Sequence, residues 1–335
     1  MKILLVQTSF LGDTVLSTPL IAALKKLYAG AELWMMTTKA SKELVERDPL
    51  LAGVVVYDKH GDQRGVRGML EISARLRGMC FDRAYSLHRS PRTAMVLAMA
   101  GIKHRKGFCE AGFSFLYHAR VQRLKAGHDV ERNLSLLSDE ARNVELDGEL
   151  RLFAQPEAQV CERLRLAPQA LKRYAVLIPG SVWATKMWEW SAYRELGERL
   201  LGSGFAVLLL GAAGEEQVCN KVAAGLPILN LAGKTSVSEL LSIISRASLA
   251  VCNDSMSLHV ASAFKVPTVA VFCATSPAFG FGPWRNRATV VEKRGLACKP
   301  CSRHGGHSCP TGTRLCMTGV SASEVFDASK EVLTH

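Results

Sequence analysis

Tyr174-Ala175-Val176-Leu177-Ile178-Pro179-Gly180-Ser181 is an apolar run that breaks at once into a polar turn. A short apolar run bounded by Pro and Gly reads as a buried strand. The helical periodicity over 191–201 then makes the segment a strand, a loop and a helix. The chain opens the same way: residues 2–6 are apolar, a turn holding Gly12-Asp13-Thr14 follows, and Val15, Leu16, Leu20, Ala23, Leu24 and Leu27 recur on one helix face. Strands at 32–37 and 54–57 extend the first series. Strands at 204–210, 249–252 and 268–272, alternating with helices at 238–245 and 258–264, extend the second. Two consecutive series predict an α/β protein of two Rossmann-like, doubly wound domains. Such domains facing a central cleft suit a reaction that joins two substrates, and each binds ligands where strand ends turn into helix N-termini. Gln155-Pro156 and Ala167-Pro168 punctuate the join, so the domains are expected at 1–165 and 166–320, with a last helix over 321–335.

Composition narrows the function classes. With 48% hydrophobic and 21% charged residues the chain is a folded protein, not a disordered one. The net charge of +12 is uneven: residues 59–132 hold fifteen Lys or Arg against six Asp or Glu, and 285–314 hold seven against the single Glu292. Such stretches attract phosphates, nucleic acid or anionic membrane surfaces, or are solvated faces. No aromatic platform or nucleic-acid motif accompanies the charge, which argues against nucleic acid as partner. Residues 1–6 are too short for the apolar part of a secretion signal. The most apolar stretches elsewhere, 94–102 and 266–272, fall short of the roughly 20 residues that span a bilayer, so membrane contact is expected to be peripheral. Ten cysteines without a signal point to a reducing, cytoplasmic setting.

Four constellations lie at predicted strand ends or in loops. Asp13, with Ser9 and Gly12, follows the first strand; a carboxylate there is either a reactive group or a helix cap. Ser181, Thr185 and Lys186 follow the strand at 174–178 and offer hydroxyls and a cation to a diphosphate, or form a surface loop. Asn253-Asp254-Ser255-Met256-Ser257 with His259 crowds polar groups where another strand becomes a helix, as a binding site does and as a simple cap also does. Glu215 and Glu216 end a neighbouring strand, where a carboxylate accepts from ribose hydroxyls, and Gly233 ends another. Finally, Cys298, Cys301, Cys309 and Cys316 form a cluster whose first pair has zinc-knuckle spacing; a structural zinc, free thiols and disulfides all remain open. No Gly-x-Gly-x-x-Gly follows the first strand, which removes the main support for a dinucleotide site.

In order, these pieces resemble the glycosyltransferase family of the bacterial lipopolysaccharide heptosyltransferases over nearly the whole chain. The residues concerned are Lys2-Ile3-Leu4 with Gly12-Asp13, Lys186-x-Trp188, Asn253-Asp254-Ser255 with His259, and Pro267-Thr268. The Cys-x-Pro-Cys and Cys-Pro…Cys-Met pattern over 298–317 is similar to that of members called heptosyltransferase II. The resemblance implies a GT-B architecture: an acceptor domain, a donor domain, and a final helix crossing back to the first. It implies inverting transfer from ADP-heptose to the anionic inner core of lipopolysaccharide, with no catalytic metal or cofactor. Asp13 would be the base, and Lys186 with Ser181 and Thr185 would hold the donor diphosphate. Glu215 or Glu216 would take the ribose, and Gly233 would lie by the adenine. Asp254, Ser255, Met256, Ser257 and His259 would hold sugar and phosphate. The acceptor falls to Ser9, Gly12, Arg89 and Arg92, beside or within the basic stretch, at the inner face of the inner membrane. Two positions depart from the pattern: Glu189 stands where many relatives have Pro, and Met256 where some have Gly. A GT-B enzyme with another nucleotide sugar, and a non-catalytic binder of anionic glycolipid, are the competing expectations.

Overall fold

A computed structural model of the chain describes residues 1–165 and 172–334. In strand β1 (Lys2–Val6) the last four residues are wholly buried, as a strand covered on both faces must be. It pairs in parallel with β2 (Glu32–Thr37) and β4 (Arg83–Ser86). With β3 (Gly53–Val56), β5 (His104–Phe108) and β6 (Ala119–Val121) these form a six-stranded sheet in the order β3-β2-β1-β4-β5-β6. The second sheet repeats that order. Its strands are β7 (Tyr174–Ile178), β8 (Ala206–Leu209), β9 (Leu229–Asn230), β10 (Leu249–Asn253), β11 (Thr268–Val271) and β12 (Ala288–Val291), arranged β12-β11-β10-β7-β8-β9. All pairings are parallel, so every strand of a sheet delivers its loop to one edge. Both units are thus the doubly wound α/β sheets expected from the sequence.

Three expectations are corrected. The chain divides into Met1–Phe153 and Ala154–His335, earlier than the boundary at 165/166, whose second residue lies outside the described residues. The reason is the helix Glu157–Leu164: it packs on the helix Val237–Ser245, Gln155 exchanges hydrogen bonds with Ser242, and Arg163 pairs with Glu239. The last helix, Ala322–Thr334, expected to cross back to the first unit, has its buried face in the core of the second. Val325, Ala328 and Val332 join the core there, against the helix Trp190–Gly202 and strands β11 and β12. The first helix pattern is two helices, Leu11–Ser17 and Pro19–Leu27, because Pro19 lacks the N–H that continuity requires.

Strands β4 to β6 escape a hydrophobicity reading. His104-Arg105-Lys106-Gly107-Phe108 looks like a solvated charge run, yet Lys106 is buried, its Nζ 2.6 Å from Glu140 and 3.2 Å from Asp139. A paired charge can be buried where a lone one cannot. Among the described residues no helix is long and apolar enough to cross a membrane.

Candidate active site

In the second unit β7 and β10 are neighbours whose following helices depart in opposite senses along the sheet, the switch point where open α/β sheets bind ligands. Asn253, fully buried at the end of β10, closes that junction. Its Nδ2 donates to the Pro179 carbonyl at 2.9 Å, and its Oδ1 accepts from the Trp188 amide at 3.0 Å and the Tyr193 hydroxyl at 3.2 Å. Asn253 is therefore an organiser of the loop 179–188. Trp188 belongs to the core as well, its indole donating to the Val320 carbonyl at 2.9 Å.

The loop so held presents Lys186, whose Nζ lies 2.7 Å from Asp254 Oδ2, and the same oxygen accepts from Thr275 Oγ1 at 2.7 Å. A lysine ammonium has three donors, so one bond to Asp254 aims the cation and leaves two for an anion. Thr185 is buried and locked on both sides: its amide donates to the Gly306 carbonyl at 3.0 Å, and its hydroxyl accepts from the Gly306 amide at 2.8 Å. Ser181 Oγ accepts from the Trp183 amide at 3.3 Å, and both residues are half-buried while Val182 between them is exposed.

Beside Lys186, Ser255 caps the helix Met256–Ala263, but its hydroxyl is buried and makes no hydrogen bond. Met256 and Ser257 are the first helical residues, with free amides at a positive dipole end, whereas His259, one turn in, is buried. Glu215 accepts from the Ala212 amide at 2.8 Å and lies against Gly180, where a Cβ would collide with its carboxylate; burial raises its pKa. Glu216 is exposed and lies against Gly233, whose φ of +72° favours glycine. All of the sequence-predicted donor residues thus fall at strand ends of one sheet edge or at the start of the following helix.

The first unit has the same switch point between β1 and β4. Asp13 is the third residue of the helix Leu11–Ser17 and not its cap; it is half-buried and accepts from the Phe10 amide at 3.3 Å. Ser9 and Gly12 flank it. Across the junction His88 Nδ1 lies 2.8 Å from both Thr8 Oγ1 and Thr93 Oγ1. Burial, then the charges of Lys59 and Arg89, depress its pKa to about 4, so the imidazole is neutral. Arg92 reaches the Lys59 carbonyl at 3.4 Å, and burial followed by Arg92 lowers the Lys59 pKa. Among the described residues Lys59, Arg89 and Arg92 make no ion pair. Neither Lys59 nor His88 stands out in the sequence: Lys59 follows the strand expected at 54–57, but His88 follows β4, which the apolar pattern does not reveal.

The four clustered cysteines form no disulfide among the described residues. Among the described residues no three His, Cys, Asp or Glu side chains gather so as to hold a metal ion. The segment packs on the Lys186 loop: the Cys301 amide donates to the Ala274 carbonyl at 2.9 Å, and the His307 ring lies 4.9 Å from that of Trp183. Burial raises the Cys301 and Cys316 thiols, whereas the Thr311 hydroxyl lowers half-buried Cys309 to about 7. Of the six cysteines outside this cluster, Cys219, Cys252 and Cys273 are buried, Cys161 is half-buried, and Cys80 and Cys109 are exposed.

A profile of glycosyltransferase family 9 (heptosyltransferase) matches residues 69–308, which span more than half of the first unit and the whole Lys186 and Asp254 neighbourhood. The chain belongs to this family. Lipopolysaccharide heptosyltransferase 2 of Salmonella typhimurium is 30% identical over 313 residues, 87% of this chain and 88% of that one. The enzyme of the same name from Escherichia coli K12 is 29% identical over 315 residues, with the same coverage. The solved E. coli ADP-heptose lps heptosyltransferase II superposes with a TM-score of 0.82 at 24% identity, covering all of this chain and 99% of that one. At that identity the superposition shows the fold. This family 9 glycosyltransferase therefore has two-sheet GT-B architecture, as its sequence pattern implied. Its Thr275, which shares Asp254 with Lys186, and its His88 are the site residues that the family pattern did not bring forward.

Proposed function

We propose that this glycosyltransferase moves a heptose from ADP-heptose to the inner core of lipopolysaccharide, with inversion at the anomeric carbon. The Lys186–Asp254 pair at the switch point of the second sheet is the observation that supports this reading most directly. A departing nucleotide diphosphate develops negative charge, and an aimed lysine beside a helix N-terminus with an unpartnered Ser255 hydroxyl is suited to stabilise it. Asp13 takes the proton of the acceptor hydroxyl as its oxygen bonds to the anomeric carbon and the bond to the diphosphate breaks. Among the described residues Lys59, Arg89 and Arg92 make no ion pair with a carboxylate, which suits an acceptor rich in phosphate and carboxylate. The relatives named above act on lipopolysaccharide or ADP-heptose by their names, and such an acceptor lies on the cytoplasmic membrane face, where this chain would sit peripherally.

Asp13→Asn is expected to lower turnover by about 10²–10⁴-fold, the range of general-base catalysis, while ADP binding by calorimetry stays as in the wild type. Unchanged turnover would remove Asp13 from the reaction. Tighter binding of UDP sugars than of ADP-heptose would reject the donor.

A further inference from the structure

The turn at 113–115 in the first unit puts two aromatic side chains into solvent, Phe113 at 47% exposure and Phe115 at 70%, with ring centroids 5.7 Å apart. It is not a loose loop. Leu116 and Tyr117 anchor it in the core, the Arg105 guanidinium donates to the Leu116 carbonyl at 2.9 Å, and the Gly112 amide donates to the Arg89 carbonyl at 2.9 Å. Phe113 itself sits at φ +55° and ψ 39°, a conformation that bulky residues rarely adopt. A rigid backbone thus holds a large apolar group outward where burial would ordinarily draw it in. Arg89 is exposed at the tie point, Arg120 is exposed on edge strand β6, and both belong to 59–132, the most basic stretch of the chain, in which Glu110 is the one acidic residue between 83 and 128. Exposed rings within a basic field match a surface that is apolar beneath and anionic above.

We propose that this turn is the docking point of the protein on an anionic phospholipid bilayer, with the Phe113 and Phe115 rings entering the interface while Arg89 and Arg120 meet lipid phosphates. The inference deepens the reading above by naming the surface that meets the membrane, and it rests on the acceptor being lipid-linked. The tie from Gly112 to Arg89 then couples the membrane contact to the loop after β4, where the acceptor is expected.

The test is co-sedimentation of the full chain with vesicles of phosphatidylglycerol and phosphatidylcholine, and with phosphatidylcholine alone, beside turnover on a deacylated core oligosaccharide. Wild type is expected to sediment with the anionic vesicles and far less with the neutral ones. The double variant Phe113→Gly, Phe115→Ser should lose at least about tenfold in vesicle affinity and keep its turnover on the soluble acceptor; the glycine suits the positive φ, so the fold is retained. Arg120→Ser should lose about fivefold, the effect of one surface cation. Sedimentation of the double variant equal to wild type would overturn the proposal. So would a wild-type dimer that the double variant converts to monomer without change in vesicle binding, because the turn would then meet a second copy. Absence of wild-type turnover on the soluble acceptor would instead defeat the proposed function and leave the vesicle result standing.

Discussion

In the first unit the strands flanking the switch point are bridged by a neutral imidazole between two threonines. In the second they are bridged by a buried amide and a lysine–aspartate pair. Strand order is the same on both sides, so topology alone does not set the chemistry. What differs is where charge is left unpaired. Among the described residues the first unit keeps Lys59, Arg89 and Arg92 without carboxylate partners around an uncharged His88, whereas the second aims one cation with one carboxylate and surrounds it with hydroxyls and amides. The first arrangement suits a large anionic partner that supplies its own counter-charge; the second suits a small one that must be held in one geometry.

This contrast can be broken experimentally. Removing the aimed cation, Lys186→Ala, should have the largest effect, lowering kcat by about 10²–10³-fold as loss of one charge-stabilising donor does. A smaller loss than that of any one arginine in the first unit would erase the asymmetry. Asn253→Ala leaves the Trp188 amide and the Pro179 carbonyl without partners in a dry junction. It should cost about 2–4 kcal/mol in denaturant unfolding of the second unit, with a retained midpoint as the contrary result.

His88 predicts a pH dependence confined to the first unit. Its folded pKa, about 4, lies below the ordinary value of 6.5, so the unfolded chain binds the proton more readily. The stabilisation is whole above about 6.5 and is lost progressively as pH falls towards 4, by up to roughly 3 kcal/mol. His88→Asn should flatten that acid limb; an unchanged slope in urea titrations between these values would show that another group causes it. Thr275→Val should be the mildest, costing about 1 kcal/mol and a few-fold in donor affinity, because Asp254 keeps its lysine.

The periodic apolar runs at 2–6, 32–37, 174–178, 249–252 and 268–272 made both doubly wound sheets legible, because strands covered on both faces must be apolar nearly throughout. The positions of Asp13, Lys186 and Asp254 after β1, β7 and β10 were legible too, since an apolar run that breaks into a polar turn marks a strand end. Tertiary structure decided the rest. It buried Lys106 in a strand that reads as a charge run, by bringing Asp139 and Glu140 from more than thirty residues away. It gave Asn253 and Trp188 to the scaffold, and it moved the last helix and residues 154–165 into the second unit by packing that no local pattern encodes. Local sequence sets what a segment can become; whether a polar side chain serves the core or the site depends on partners distant in the chain, whose pairing offsets the desolvation of a buried charge or amide.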